Sequence, residues 1–140
     1  MATETVHLVT QLVTVSAAVR KWADAVAGSH GQTHARWQVL AALQGHRELT
    51  VPQVARRLGL TRQSVQRVID QLFAEGLVTW GRNPDHKTSP LLRLSDAGEG
   101  LAQSLDDAAQ AATRDLLRHM EAGELAQLSH LLGRLAQSIT

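Results

Sequence analysis

The chain has 140 residues, 44% of them hydrophobic and 19% charged, with a formal net charge of +1 and no cysteine. This excludes wholesale disorder, a disulfide framework, thiolate zinc sites and a thiol redox sensor, and the length fits one domain or one domain with an appended helical element. No stretch approaches the roughly 18 to 20 consecutive apolar residues of a membrane span, and Met1-Ala2-Thr3-Glu4 is not a basic leader before an apolar run, so a cytoplasmic protein without membrane contact is expected.

Val9, Leu12, Val13, Val19, Trp22, Ala23 and Val26 recur at spacings of three and four, which predicts one helix over residues 4 to 27, ended by Gly28 and Gly31. Its many β-branched residues lower the intrinsic helix propensity, so this helix must depend on packing against something else. Thr33 is placed to cap a second helix, about 34 to 44, with Trp37, Leu40, Ala41 and Leu43 on its core face and Gly45 as its stop. Thr50 caps a third, short helix with Pro52 in its first turn, and Gly59 ends it after Leu58. Thr61 caps a fourth over about 62 to 75, closed by Gly76.

The period then changes. Leu77 to Trp80 and Leu92 to Leu94 read as two short strands around a polar loop with Asn83-Pro84-Asp85 as its turn signal, hence a hairpin. Ser95 caps a long helix, about 96 to 119, with Leu101, Leu105, Ala108, Ala112, Leu116 and Met120 along its stripe. After a break near residues 121 to 123, Leu125, Leu128, Leu131, Leu132, Leu135 and Ile139 mark a last helix. The fold class is mainly α with a small β-hairpin.

Residues 51 to 70 have the spacing of a helix-turn-helix. Val54, Ala55 and Leu58 face inward from the first helix, Gly59 permits a left-handed turn, Leu60 plugs it, and Val65, Val68 and Ile69 face back from the second. Subtracting the inward residues leaves Arg62, Gln63, Ser64, Gln66, Arg67, Asp70 and Gln71 outside. Arg can bridge guanine O6 and N7 and Gln can pair with adenine N6 and N7, so Arg62, Gln63, Gln66 and Arg67 are the candidates for base readout, with Thr61 and Ser64 assigned to phosphate and Thr50 a further DNA-binding candidate. Arg82, His86 and Lys87 in the hairpin loop add backbone or minor-groove contacts. Charge agrees: Gly45 to Arg93 carries eight basic and four acidic residues, a formal +4, and the remainder carries six and nine, a formal −3.

From about Trp37 to Leu101 the sequence resembles the MarR-type winged helix-turn-helix transcriptional regulators. The resemblance rests on Leu49-Thr50-Val51, the corner from Val54-Ala55 to Leu58-Gly59-Leu60-Thr61, Leu72 to Val78, Pro84-Asp85, and Leu92 to Gly98. It implies an N-terminal dimerisation helix over 1–32, a winged DNA-binding domain over 33–95 and C-terminal dimerisation helices over 96–140. It also implies a homodimeric repressor on a pseudo-palindromic site in double-stranded DNA, released by a small aromatic or anionic ligand between the two lobes, near Trp22, His30, His34, Trp37 and Val39. The family usually carries Arg after the wing Asp. Here Asp85 is followed by His86-Lys87, so the wing is expected to contact mostly phosphate, with Arg57 or Arg67 as the partner of Asp85.

The rival reading is a winged-helix protein–protein interaction module without DNA binding, against which the Arg/Gln-rich face of residues 62 to 71 speaks. No enzyme is expected, because the sequence shows no Gly-rich phosphate loop, no nucleophile elbow and no paired carboxylates outside helix surfaces. No cofactor or metal site is expected either: His30 and His34 are four apart, but Gly31 and the cap at Thr33 intervene.

Overall fold

A computed structural model describes residues 1–139. The elements run α1 (Ala2–Gly28), α2 (His34–Leu43), α3 (Val51–Leu58), α4 (Arg62–Ala74), β1 (Val78–Gly81), β2 (Leu91–Leu94), α5 (Asp96–Leu116) and α6 (Ala122–Ile139). They form two units, one spanning Met1–Ala108 and a second that begins at Ala109, inside α5.

Helix starts in the first unit follow the predicted caps. Thr33 Oγ1 accepts the Arg36 N–H at 3.2 Å, and Thr61 Oγ1 accepts the Ser64 N–H at 3.1 Å. Thr50 and Gln53 form a reciprocal capping box: the hydroxyl accepts the Gln53 N–H at 3.3 Å while the Gln53 amide oxygen accepts the Thr50 N–H at 2.9 Å. The α3–α4 corner turns on Gly59, at φ 64° and ψ 32°, and the Leu60 N–H returns to the Ala55 carbonyl at 3.0 Å. Ala55 is buried there, as the close approach of the two helices requires.

Leu40 and Leu43 of α2, Ile69 and Leu72 of α4, Leu92 of β2 and Leu105 of α5 are fully buried in one core. The hairpin is antiparallel, with Val78 opposite Leu94 and Gly81 opposite Leu91. Leu49 adds an isolated bridge to β2: its N–H and C=O exchange hydrogen bonds with Leu92 at 3.1 and 2.7 Å, which fastens the wing to the segment before α3. Ser95 joins the hairpin to α5. Its hydroxyl donates to the Gly76 carbonyl at 2.6 Å and accepts the Gly98 N–H at 3.1 Å.

Two expectations are corrected, and the end of α1 at Gly28 and Gly31 is resolved in detail. On α2, Ala41 is exposed and Val39 and Ala42 are buried, so the helix turns a slightly different side to the core than Trp37-Leu40-Ala41-Leu43 implied. α5 stops at Leu116, three residues early, and a turn follows in which the Met120 N–H bonds the Leu117 carbonyl. Gly28 is the last residue of α1, and the left-handed position is Gly31, at φ 70°, with the Gln32 N–H bonded to the Ala27 carbonyl at 2.9 Å.

A carboxylate holds the turn after α2. Glu99 of α5 accepts the Gly45 and His46 backbone N–H groups at 3.1 and 2.9 Å. His46 is left-handed there, at φ 61°, a strained conformation for a residue with a Cβ. The His46 N–H bond is the main reason why the Glu99 carboxyl titrates below its ordinary value; a guanidinium hydrogen bond from Arg36 does the same to Glu75. A depressed native carboxylate stabilises the fold above the ordinary pKa of about 4.3, and that contribution disappears as the pH falls through and below this value. The denaturation midpoint is therefore expected to drop between about pH 5 and about pH 3. Glu99→Gln is expected to flatten the drop, and parallel pH profiles for the two proteins would remove Glu99 as a cause.

Candidate nucleic-acid interface

α4 carries its polar residues on the side away from the core. Val65, Ile69 and Leu72 are buried, while Arg62, Gln63 and Arg67 are exposed and Ser64 and Gln66 are half-buried. The Gln66 amide donates to Asp70 Oδ1 at 2.8 Å, which uses one of its N–H groups and leaves its carbonyl oxygen and second N–H for other partners. Thr61 and Ser64 are tied together. The Thr61 hydroxyl donates to Ser64 Oγ at 2.9 Å, and Ser64 donates to the Thr61 carbonyl at 3.0 Å.

Two open hollows lie between the start of α4, the start of α3 and the wing. One, of about 400 Å³, has an apolar side of Val51, Pro52 and Trp80 and a polar side of Arg62, Gln63 and Gln66. The other, of about 870 Å³, is lined by Arg56, Arg62 and Arg82, with Asp85 and His86 from the wing. Arg62 borders both. The loop around them is internally pinned: the Asn83 side chain donates to the Ser89 carbonyl at 2.9 Å and accepts the Asp85 N–H at 3.0 Å, and His86 Nδ1 lies 3.0 Å from Thr88 Oγ1.

The hollows thus bring together Arg62, Gln63 and Gln66, and separately Arg62, Arg82 and His86. Arg67 and Lys87 are exposed but border neither. Thr50 caps α3, as expected; it is 8% exposed, its hydroxyl oxygen accepts the Gln53 N–H, and it lines the larger hollow. The expected tether of Asp85 to Arg57 or Arg67 is corrected. Among the described residues Asp85 makes no such ion pair, and it lines the larger hollow together with Arg56, Arg62 and Arg82. Arg56 was missed. The subtraction of inward residues that singled out the outer face of α4 also finds Gln53, Arg56 and Arg57 when applied to α3.

Not all of the local positive charge is free. Arg93 is paired with Glu48 at 3.5 Å. Arg56, Arg57, Arg62, Arg67, Arg82 and Lys87 form no ion pair among the described residues. Six unneutralised cations around one corner make a surface for a polyanion.

The candidate effector residues are only partly assembled. His34 and Trp37 meet edge to face, ring centres 5.8 Å apart at 78°. Trp22 is half-buried on α1, and His30 is exposed with Nδ1 3.0 Å from Ser29 Oγ. Val39 is fully buried among core residues, so it cannot wall a site. Among the described residues no three His, Cys, Asp or Glu side chains are grouped to hold a metal ion, and no helix is long and apolar enough to cross a membrane.

A family model described as MarR family matches residues 30–87. Uncharacterized proteins of Mycobacterium tuberculosis (Rv2011c) and Mycobacterium bovis (Mb2034c) are each 43% identical over 135 residues, covering 86% of this chain and 94% of theirs. Among solved structures, a mutant of Escherichia coli MarR complexed with operator DNA superposes with a TM-score of 0.83 at 21% identity, covering 94% of this chain and 95% of that one. The MarR family regulator NMB1585 from Neisseria meningitidis gives 0.76 at 21% identity, over 97% and 93% of the two chains. The elements and their order are those of these winged-helix proteins, and the chain belongs to the MarR family of transcriptional regulators.

Proposed function

We propose that the protein is a homodimeric repressor that occupies a pseudo-palindromic operator in double-stranded DNA and is released by a small aromatic or anionic molecule. The observation that carries this reading is the position of Arg62, without an ion pair among the described residues, at the first residue of α4 and between two hollows that open beside the wing. The N-terminal end of a recognition helix is where base edges are read, and α4 presents Arg62, Gln63 and Gln66 there. Arg56, Arg82, His86 and Lys87 supply phosphate contacts around it, with Arg67 further along the helix. The operator DNA in the Escherichia coli MarR complex lends this reading support.

Dimerisation follows from uncovered apolar surface in each unit. On α1, Val9 and Val13 are 60% and 66% exposed; on α6, Leu128, Leu131, Leu132 and Leu135 are exposed and no residue is buried. Residues 1–32 and 96–140 are assigned to the dimer and 33–95 to DNA. Exposed stripes of this size on helices need a partner, and two-fold symmetry would set the two α4 helices about 34 Å apart, in successive major grooves. The edge-to-face His34–Trp37 pair offers an apolar face and a hydrogen-bonding ring to an aromatic or anionic effector, with Trp22 and His30 as the other candidates. We place the protein in the cytoplasm.

The test is selection of bound duplexes from a random double-stranded pool, followed by a salt titration of the best site. A protein with about 6 to 10 phosphate contacts should lose about 10³- to 10⁵-fold in affinity between about 50 and 200 mM salt. Undetectable or salt-insensitive binding would overturn the reading. Screening aromatic acids and phenols for release of the bound site then tests the effector.

A further inference from the structure

Arg36 is the least exposed cation among the described ion pairs, with a side chain 12% exposed. It sits in the first turn of α2, three residues after the Thr33 cap, yet its guanidinium reaches the far end of another helix. Nη1 bonds Glu75 Oε2, and Nη2 bonds Glu75 Oε1 at 2.9 Å. Nε donates to Gln32 Oε1 at 2.7 Å. Three of the five guanidinium N–H groups are therefore committed in a planar fork, an arrangement Lys cannot reproduce. Glu75 is the C-cap of α4, the helix whose other end carries Arg62.

The segment that holds Arg36 is also fixed to α1. The His34 N–H donates to Asp24 Oδ1 at 3.2 Å, and the Gln32 N–H bonds the Ala27 carbonyl at 2.9 Å. A continuous polar chain thus runs from α1, through residues 32–36, to the last turn of α4. Its members come from sequence positions 39 residues apart at the Arg36–Glu75 step.

We infer that the Arg36–Glu75 pair is a positioning brace that sets the angle at which α4 presents Arg62 and Gln63 to DNA. The inference rests on the DNA-binding reading above and names a control within it. α4 has 13 residues and is about 20 Å long, so a tilt of about 10° about its braced end moves its reading end by about 3 Å. Hydrogen bonds to base edges tolerate a few tenths of an ångström. Contacts made by long cations to phosphate anywhere along the backbone tolerate much more. Loosening the brace should therefore cost specific binding and spare non-specific binding.

The experiment compares wild type, Arg36→Lys, Glu75→Gln and the double variant. Each is titrated, as the full-length protein, with the selected operator and with a scrambled duplex of equal length at one salt concentration. The operator-to-scrambled affinity ratio is expected to fall about 2- to 30-fold in each single variant, the range over which residues in coupled networks act. The double variant should fall no further than the worse single one, because the two substitutions break the same bond. Charge alone predicts a different pattern. Arg36→Lys keeps its charge and would change nothing, whereas Glu75→Gln removes a negative charge and would tighten both duplexes equally. That pattern, or ratios within twofold of wild type in variants whose circular dichroism is native, overturns the brace. Were Arg36→Lys to unfold at the assay temperature, Glu75→Gln, at an exposed position, would decide alone. Wild-type protein that binds both duplexes equally, or neither, overturns the operator reading itself and the brace with it.

Discussion

Gly98→Ala is expected to lose about 3 kcal/mol of stability or more, at the upper end of what overpacking costs. A Cβ at this position would lie 2.1 Å from the Leu77 carbonyl oxygen, 3.1 Å from the Leu77 carbonyl carbon and 3.2 Å from Leu94 Cβ. None of these atoms can swing aside. The Leu77 carbonyl accepts the Ser95 N–H at 3.0 Å, the Leu77 N–H is bonded to the Leu72 carbonyl at 2.9 Å, and Leu94 is buried in the core. Relief requires α5 to shift away from Leu77, which also disturbs the core in which its Ala102 and Leu105 are buried. The natural control is two residues away. Gly100 lies in the same helix with nothing within 4 Å of its would-be Cβ, so Gly100→Ala should be neutral or gain about 0.5 to 1 kcal/mol from the entropy removed from the unfolded chain. Thermal melts at one protein concentration check both. A drop of roughly 10 °C for Gly98→Ala beside no drop for Gly100→Ala is the expected pair of results; melting of Gly98→Ala within about 2 °C of wild type would show that α5 does not depend on this approach.

That contrast shows where sequence reading reaches and where it stops. Both glycines look alike in the sequence, each inside a helical pattern, and only the packing of α5 on Leu77 separates them. Local rules did well where the cause is local. Thr33, Thr50 and Thr61 cap helices because a hydroxyl three residues before a free N–H can always reach it, and Gly59 turns the corner because φ 64° suits a residue without Cβ. The same rules failed by a fraction of a turn on α2. A short helix with apolar residues at 37, 39, 40, 41, 42 and 43 has no clean stripe, and the neighbours it packs against decided that Val39 and Ala42 go inward and Ala41 outward.

For the candidate site, the outer face of α4 was legible because one side of an amphipathic helix remains when the other is buried. Thr50 shows a limit of such reading: a capping hydroxyl and a phosphate-binding hydroxyl are the same group in a sequence, and in the fold Thr50 both caps α3 and lines the larger hollow. The Arg36–Glu75 pair was illegible for a different reason. It joins segments that only the folded chain brings together, and no periodicity encodes such a pair.

Arg62→Ala is expected to produce the largest loss of DNA affinity of any single substitution on this surface. Arg62 is the first residue of α4, it borders both hollows, and no carboxylate neutralises it among the described residues. Loss of a bidentate base contact costs about 1 to 3 kcal/mol, which is roughly 5- to 150-fold in affinity for one protomer. The larger hollow also fits a phosphate, with Arg56 and Arg82 beside Arg62, so the two roles have to be separated. Arg62→Lys separates them. A Lys keeps the charge and the salt dependence that goes with it, so it would restore most of a phosphate contact; it lacks the fork that matches guanine, so it would leave base discrimination lost. The expected result is a salt slope near wild type for Arg62→Lys with relaxed preference at one base position of the selected operator, and both reduced for Arg62→Ala. Arg67, exposed but outside both hollows, should cost less when removed. Should Arg62→Lys recover full sequence preference, Arg62 holds the backbone, and the reading of bases falls to Gln63 and Gln66, the two amides that share the smaller hollow with it.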